Sequence, residues 1–356
     1  MFKRLSFYLP GLGQSWMFLV VFVLGSLILG VIIMAPLMLL FPDHETWSQT
    51  LLYPLSFVPI VIFAYYMIKD RWQKGAILAY KKKYTIDKTA QPNDDDITTT
   101  EKTTSTTLHA FGTTFTADVT STKETVSTTI PTTIKEVMQI VPDSEIEAVL
   151  PNIPMNRPNF GKIGAIATFI LLIPLTISLS IVIEPIMSWW EMPDFIKELF
   201  ESMMNGNVIT TFLTLAIMAP LFEEWLCRGV IMRGLMYNLN PTKAILWSAL
   251  IFGVMHMNPW QSVPAFLIGI LLGWLYWRTR CIWVPIFVHF INNGSSFLIM
   301  IFYPDISMDA TIRDLIPGNQ YYMLYIAAVI LLTSIIVLMH KKYDKPVIPA
   351  KIPTDT

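Results

Sequence analysis

The sequence predicts an all-α protein, a polytopic bundle of about eight transmembrane helices that carries a polar cytosolic insert. Of the 356 residues, 53% are hydrophobic and only 14% are charged, whereas a soluble domain contains about 25% charged residues. The mean hydropathy is +0.52. Lysine and arginine also cluster beside alternate apolar stretches, which is typical of a chain that crosses a bilayer repeatedly. The protein is therefore expected to be integral to a membrane.

The apolar stretches give the number of spans. Crossing the hydrocarbon core takes about 20 predominantly apolar residues. The stretches that meet or approach this length are Trp16–Phe41, Leu51–Ile68, Gly164–Ile183, Val208–Leu226, Ala244–Met257, Val263–Trp277, Ile282–Phe302 and Tyr322–Met339. The fifth and sixth are short, and only Asn258-Pro259-Trp260 separates them. We expect these two to form either a tight helical hairpin or a pair that does not reach the far side.

Basic residues fix the orientation, because cytosolic loops carry an excess of lysine and arginine. If there are eight spans, every basic cluster falls on the same side: Lys3 and Arg4; Lys69, Arg71, Lys74 and Lys81–Lys83; Lys162; Arg228 and Arg233; Lys243; Arg278 and Arg280; Lys341, Lys342 and Lys345. Both termini are therefore expected in the cytosol, and a miscount of one span would break the alternation. The expected location is a bacterial cell membrane.

Composition divides the chain into segments. Residues 1–84 hold two N-terminal transmembrane helices, and residues 85–160 form a Thr-rich polar cytosolic insert that ends in a Pro-containing linker. Residues 161–206 hold the third transmembrane helix and an outer amphipathic helix. Residues 207–302 form a core that carries the mid-span polar residues. Residues 303–356 hold an outer loop, the last transmembrane helix and a cytosolic tail.

Two of these segments leave alternatives open. The low apolar content of the insert favours disorder over a small appended module. Within it, alternation in Thr107–Val119 permits a hairpin around Gly112, and Ile134–Leu150 has apolar residues at loose helical spacing. The apolar stripe in Asp194–Met204 predicts an amphipathic helix on the outer surface or, equally, an extension of the fourth span.

Two adjacent acids lie inside the fourth apolar stretch. Residues 221–228 read L-F-E-E-W-L-C-R and contain Glu223 and Glu224. Ionisable groups at membrane depth are costly unless they are partnered, so each indicates a functional site. Glu224 precedes Arg228 by one helical turn, the favourable order for an ion pair, so a structural role also suits it. Glu223 faces about 100° away and has no partner in its own segment, which favours a functional role.

Two histidines in later spans are the natural partners of these acids. His256 ends F-G-V-M-H, and His289 begins H-F-I-N-N, which places Asn293 on its own helical face one turn later. Each polar group alone is also compatible with a role in holding helices together, at about 0.6 kcal/mol per hydrogen bond. Two mid-span histidines that accompany the mid-span tandem acids instead indicate a single site.

Two chemical schemes fit these residues. A buried carboxylate and an imidazole can deprotonate a water, while a second imidazole and an amide stabilise an oxyanion. Alternatively, Glu223, His256 and His289 can hold zinc with one position left open for water. Both schemes predict peptide-bond hydrolysis within the membrane. The groups lie at one depth only if the fifth helix begins in the cytosol.

Other intramembrane protease classes are disfavoured by their missing motifs. His44-Glu45 is not followed by the rest of H-E-x-x-H, and neither G-x-S-x-G nor G-x-G-D occurs around the mid-span acids.

The three motifs together resemble the CPBP intramembrane proteases, the group of type 2 CAAX prenyl endopeptidases, Abi proteins and lysostaphin-resistance-like proteins. That family has E-E-x-x-x-R, F-x-x-x-H and H-x-x-x-N in this order. The corresponding segments here are residues 223–228, 252–256 and 289–293, and the resemblance covers roughly Val208–Phe302. It implies an all-helical bundle whose catalytic cavity opens to the cytosol, with cleavage near that face of the membrane.

The resemblance also implies roles. Glu223 would activate the water with help from His256, while His289 and Asn293 would hold the oxyanion. The candidate catalytic residues are thus Glu223, Glu224, His256, His289 and Asn293. Arg228 would support them, and within this set Glu224 would act as a supporting residue together with Arg228. Family members are usually classed as metallopeptidases, but a metal-free glutamate mechanism has also been argued, so zinc stays open as the cofactor.

The expected partners follow from the same resemblance. They are membrane lipid, a membrane-associated or lipidated peptide or protein as substrate, and a membrane protein partner; nucleic acid is not expected. Two other functions are compatible with the residues. One is a non-catalytic membrane scaffold or bacteriocin-immunity protein, and the other is an ion-coupled transporter, which the lack of a visible internal repeat disfavours.

Overall fold

A computed structural model of the chain describes residues 2–40, 53–89, 104–110, 113–119, 133–189, 191–204, 207–303, 307, 310–316, 318–344 and 346. Its helices run over Phe2–Leu5, Leu12–Leu29, Gly30–Met34, Ala35–Leu40, Val58–Thr89, Ile134–Ile140, Asp143–Val149, Ala165–Met187, Asp194–Met204, Val208–Asn238, Pro241–Val254, Pro259–Thr279, Trp283–Phe302, Ile312–Leu315 and Asn319–Lys342. One antiparallel hairpin pairs Thr104–Ala110 with Thr113–Val119. The predicted helical membrane bundle is confirmed.

Six of the described helices are long and apolar enough to span a bilayer: Leu12–Ile33, Ala165–Met187, Val208–Asn238, Pro259–Thr279, Trp283–Phe302 and Asn319–Lys342. The prediction of about eight spans is therefore approximate. The second predicted stretch belongs to the helix Val58–Thr89, which continues without a break into the basic residues after Ile68. The fifth belongs to Pro241–Val254, whose 14 residues extend only about 21 Å, less than the hydrocarbon thickness of about 30 Å.

The chain divides into two compact units, and the first consists of Met1–Tyr8 with Tyr65–Asn152. Its core packs the helices Ile134–Ile140 and Asp143–Val149 against Trp72 and its neighbours. An ion pair of 3.2 Å joins Lys83 to Glu145 on the surface. This part of the insert is therefore folded, and the helical spacing in it was the informative signal. The Thr-rich run at 98–100 and the acidic run at 94–96 lie outside the described residues.

The second unit, Leu9–Ala64 with Ile153–Thr356, brings its basic helix ends together at one end. Arg278 donates hydrogen bonds to the carbonyl oxygens of His340 at 2.6 Å and Tyr343 at 2.9 Å. The amide of Lys162 donates to the carbonyl of Lys342 at 3.0 Å. We call this end the basic face and define it by Arg157, Lys162, Lys243, Arg278, Arg280 and Lys341. Its clusters group as the alternation predicts, and the compartment that it faces stays a prediction.

The other end of this unit, which we call the opposite face, carries the remaining helix ends. Glu184 lies near the end of its helix and accepts hydrogen bonds from the amide of Ile312 at 3.0 Å and the hydroxyl of Tyr321 at 3.1 Å. The indole of Trp260 donates to the carbonyl of Glu191 at 3.2 Å. Asp194–Met204 is a helix of its own here, because Asn207 caps the start of the next helix by accepting from the amide of Ile209 at 2.9 Å.

Near the basic face, the backbone at Gly234 lies very close to Pro10. A Cβ atom added at Gly234 would clash with backbone atoms of Pro10, whereas one added at Gly294 would meet nothing within 4 Å. We expect Gly234→Ala to lower the free energy of unfolding by about 1–3 kcal/mol through overpacking, seen as a lower thermal midpoint in detergent. Gly294→Ala is the matched control and should leave the midpoint equal or slightly higher, because alanine favours helix. Equal losses in both variants would contradict the close approach.

Candidate active site

The two adjacent acids lie on a short α-helical turn between two π-helical segments. Ala219–Glu224 is flanked by Leu213–Met218 and Trp225–Met232. Proline has no N–H group, and its ring clashes with the carbonyl four residues before it, so a wider turn before Pro220 relieves the strain. π-Helical turns inside α-helices are frequent at functional sites.

The first π-segment explains the position of Asn293. The amide of Ala219 bonds to the carbonyl of Thr214, five residues back. The next bond in this register would need an N–H group at Pro220, so the carbonyl of Leu215 lacks a helical partner. The side-chain amide of Asn293 donates to that carbonyl at 2.9 Å. Asn293 therefore supplies the hydrogen bond that the helix backbone lacks at Leu215, and its second N–H remains for another acceptor.

Glu223 lies beside both histidines, the partners predicted for it. Its carboxylate is buried, with 8% of the residue exposed. Oε2 lies 3.9 Å from Nε2 of His256 and 3.9 Å from Nε2 of His289. Oε1 accepts a short hydrogen bond from the hydroxyl of Tyr53, while Oε2 has no hydrogen-bond partner. The unpartnered oxygen thus faces two imidazoles.

Hydrogen bonds fix the tautomers of both neutral imidazoles. Nδ1 of His256 lies 2.8 Å from the carbonyl oxygen of Phe252, and Nδ1 of His289 lies 3.0 Å from Oε1 of Glu224. A carbonyl and a carboxylate only accept, so each Nδ1 must carry the proton. Each Nε2 is left with a lone pair, and both lone pairs lie on the Glu223 side. Such an outer hydrogen bond is what orients histidines for catalysis or metal binding.

Glu224 and Arg228 form a fully buried ion pair behind His289. Nη1 of Arg228 donates to Oε1 of Glu224 at 2.7 Å, and Nη2 donates to the carbonyl of Gly269 at 3.0 Å. The guanidinium carbon also lies 4.5 Å from the ring centre of Phe252. The pair expected from the helical spacing is present, and Glu224 links it to the imidazole of His289.

A cavity of about 610 Å³ adjoins these groups. Of the candidate catalytic residues, Glu223, His256, His289 and Asn293 line it, whereas Glu224 lies behind the wall. The volume lies in the range of ligand pockets, about 300–1,000 Å³. The structure therefore gathers all five candidates in one place, and four of them line the cavity. Their roles stay predictions.

Glu223 and His256 can lie at the same depth because the fourth helix does not end at Leu226. The helical segment continues to Asn238, about 46 Å in all, so Glu223 lies about 22 Å from its basic-face end. Along the axis of the next helix, His256 lies about 20 Å from Lys243. The two side chains are therefore level. The end predicted at Leu226 is wrong because Arg228 and Arg233 lie inside the fold.

Sequence reasoning missed several residues of this site. Tyr53 hydrogen-bonds Glu223, and Ser180 donates to the side-chain oxygen of Asn292 at 3.3 Å in the cavity wall. A lone tyrosine or serine in an apolar stretch gives no local signal, since nothing in its spacing points to a distant helix. Asn292 also lines the cavity, although it lies about 100° around the helix from Asn293.

The zinc hypothesis can be tested against the spacing of its three donors. Glu223, His256 and His289 fit zinc by donor type and tautomer. Ligands in a tetrahedral zinc site lie about 3.3 Å apart, given bonds of about 2.0–2.1 Å, and both measured separations are 3.9 Å. Within the described residues, no group of three or more His, Cys, Asp or Glu side chains has metal-binding spacing. The side chains as placed do not fit the ion.

Fold and site together define a polytopic helical membrane protein with a carboxylate and two imidazoles buried around a cavity. Residues 205–295 match the model of the family described as Type II CAAX prenyl endopeptidase Rce1-like. The matched segment holds all three motifs, and the match confirms the resemblance that they show.

A relative in Bacillus subtilis (strain 168) bears the name "Putative membrane peptidase YdiL" and is 36% identical over 78 residues. The match covers 22% of this chain and 32% of that protein, so it spans about a third of the relative's length. No solved structure matches the chain.

Proposed function

We propose that this chain is an intramembrane endopeptidase in which Glu223 activates a water to hydrolyse a peptide bond. The observation that carries the proposal is the buried, unpartnered Oε2 of Glu223 facing the lone pairs of two Nε2 atoms at 3.9 Å. A water between these atoms has two hydrogens, so it would donate one to Oε2 of Glu223 and the other to Nε2 of His256, at about 2.8 Å each. The family match and the name of the relative support a membrane protease.

In the proposed reaction Glu223 takes one proton from the water while Nε2 of His256 accepts the hydrogen bond of the other. The water oxygen attacks the peptide carbonyl carbon, and the carbonyl oxygen becomes an oxyanion. Glu223 then gives its proton to the amide nitrogen, which leaves as an amine when the C–N bond breaks. General acid–base catalysis of this kind contributes about 10²- to 10⁴-fold.

The oxyanion would need donors, and two are at hand. Asn293 keeps one N–H beyond the bond to Leu215. Neutral His289 carries its proton on Nδ1, so it donates from Nε2 only as an imidazolium. Nδ1 of His289 lies 3.0 Å from the Glu224 carboxylate, and this hydrogen bond orients the ring in the cavity wall. This gives Glu224 a role through His289. No step is derived through a metal, because the donor spacing does not fit zinc.

The proposal can be tested by comparing the membrane-associated peptides of cells that carry wild type with those of cells that carry Glu223→Gln. The same comparison would identify a substrate. We expect a defined set of uncleaved precursors to accumulate in the variant, with the corresponding fragments present in wild type alone. Equal peptide sets at equal protein levels would contradict the enzyme. If a cellular phenotype also persisted in Glu223→Gln and His289→Ala, a non-catalytic scaffold would explain it instead.

A further inference from the structure

We infer that the cavity beside Glu223 is entered from the non-cytosolic side of the membrane, and that it takes an apolar peptide segment presented from that side. The substrate part of this inference rests on the proposed function, whereas the direction of entry does not. The resemblance to CAAX proteases implied the opposite direction.

The cavity runs from Glu223 to the opposite face. Its lining includes Met187, the last residue of one helix, Trp260, near the start of another, and Met300, near the end of a third. All three helix ends belong to the face at which Glu184 contacts Ile312 and Tyr321. Ser296, one turn from Met300, also lines the cavity and is exposed. The mouth is therefore at this end.

The bundle is closed between Glu223 and the basic face. Every residue in the helical run Leu226–Met236 is buried, and Leu272, Leu275 and Tyr276 of a neighbouring helix have no exposed surface. Tyr276 donates to the carbonyl of Met155 at 2.8 Å, which ties the linker before the third span across this layer. None of these residues lines the cavity. In the part of the chain that the structure describes, this layer leaves a substrate no path to Glu223 from the basic face.

Charge assigns the two faces to the two sides of the membrane. The basic face gathers the Lys and Arg clusters of this unit, whereas in the described parts of the opposite face the basic residues are Lys197 and Arg313. Acidic residues outnumber them there: Glu184, Glu191, Asp194, Glu198, Glu201 and Asp314. Short cytosolic loops carry the lysine and arginine excess, so the basic face is cytosolic and the mouth lies on the other side.

The lining indicates the chemistry of the occupant. Met187, Ile268, Phe297 and Met300 give an apolar wall, while Asn292 and neighbouring polar groups offer hydrogen bonds along one flank. Such a cavity suits apolar side chains on an extended segment whose backbone amides bond to the flank. The substrate is thus the outer part of an exported or membrane-inserted polypeptide. A prenylated tail in the cytosol would meet the closed face.

Single cysteines and a membrane-impermeant maleimide test the direction of entry. The full chain is expressed in a bacterial host and labelled in right-side-out spheroplasts and in inside-out vesicles. Lys243→Cys reports the basic face, Ser188→Cys the opposite face, and Ser296→Cys and Gln261→Cys the cavity. Wild type is the background control, because Cys227 and Cys281 are both buried. Labelling after denaturation measures total thiol.

We expect Ser188→Cys and at least one cavity cysteine to react in spheroplasts, and Lys243→Cys to react in inside-out vesicles alone. Labelling of Lys243→Cys from outside overturns the orientation. Cavity cysteines that react only in inside-out vesicles, or in neither preparation, overturn the entry path. If labelling is as expected but no exported peptide is cleaved, the proposed hydrolysis fails while the direction of entry stands.

Discussion

The substitution Glu223→Gln is expected to lower the rate of peptide hydrolysis by about two to four orders of magnitude, the range lost when a general base is removed. The glutamine side chain would have nearly the same shape, and its carbonyl oxygen can still accept the hydrogen bond of Tyr53. It cannot take a proton from the water. The measurement is kcat of the purified protein on a substrate found by peptide comparison, with the thermal midpoint recorded alongside.

Glu184→Gln is the matched control for this variant. Glu184 is a second carboxylate in the cavity wall, but both of its oxygens already accept hydrogen bonds from Ile312 and Tyr321. We expect its rate to change far less than that of Glu223→Gln. Equal losses would show that any altered carboxylate disturbs the cavity, and a full rate in Glu223→Gln would show that another group activates the water.

Helical periodicity predicted part of the site from sequence. The spacing of Glu224 and Arg228 predicted their ion pair, and the 100° offset predicted that Glu223 would face other helices. Both expectations hold, because positions one turn apart share a face whatever the surrounding fold. The ordered motifs on three helices then made a common site the simplest explanation, although spacing within each helix carries no information on how the helices meet.

Other features could not be predicted because they depend on tertiary contacts. In sequence, Arg228 marks the end of a span, yet Glu224 and the carbonyl of Gly269 satisfy it inside the fold. The π-segments have no pattern of their own beyond Pro220. The bonds that set the tautomers of His256 and His289 come from atoms whose positions depend on the assembled bundle. Average composition likewise hid the folded helices of residues 134–149.

The substitution Arg228→Leu is expected to lower the free energy of unfolding by about 3–5 kcal/mol, the usual loss when one member of a buried ion pair is removed. Glu224 is fully buried, and without Arg228 its charge would keep only the hydrogen bond from His289. The thermal midpoint in detergent and the yield of folded protein would both fall. Arg228→Lys should lose less, because it keeps the charge but cannot bond Glu224 and Gly269 together as the guanidinium does.

The double variant Glu224→Gln with Arg228→Leu separates charge from packing. A neutral amide needs no cation, and its oxygen can still accept the Nδ1 proton of His289, so we expect the double variant to regain most of the stability lost by Arg228→Leu. Losses that simply add would mean that the two residues act independently. Hydrolysis should stay low in the restored protein, because the charge-assisted hydrogen bond that holds the ring of His289 would be replaced by a weaker bond to a neutral amide. If stability returns without activity, Glu224 and Arg228 contribute to the reaction as well as to the stability of the fold.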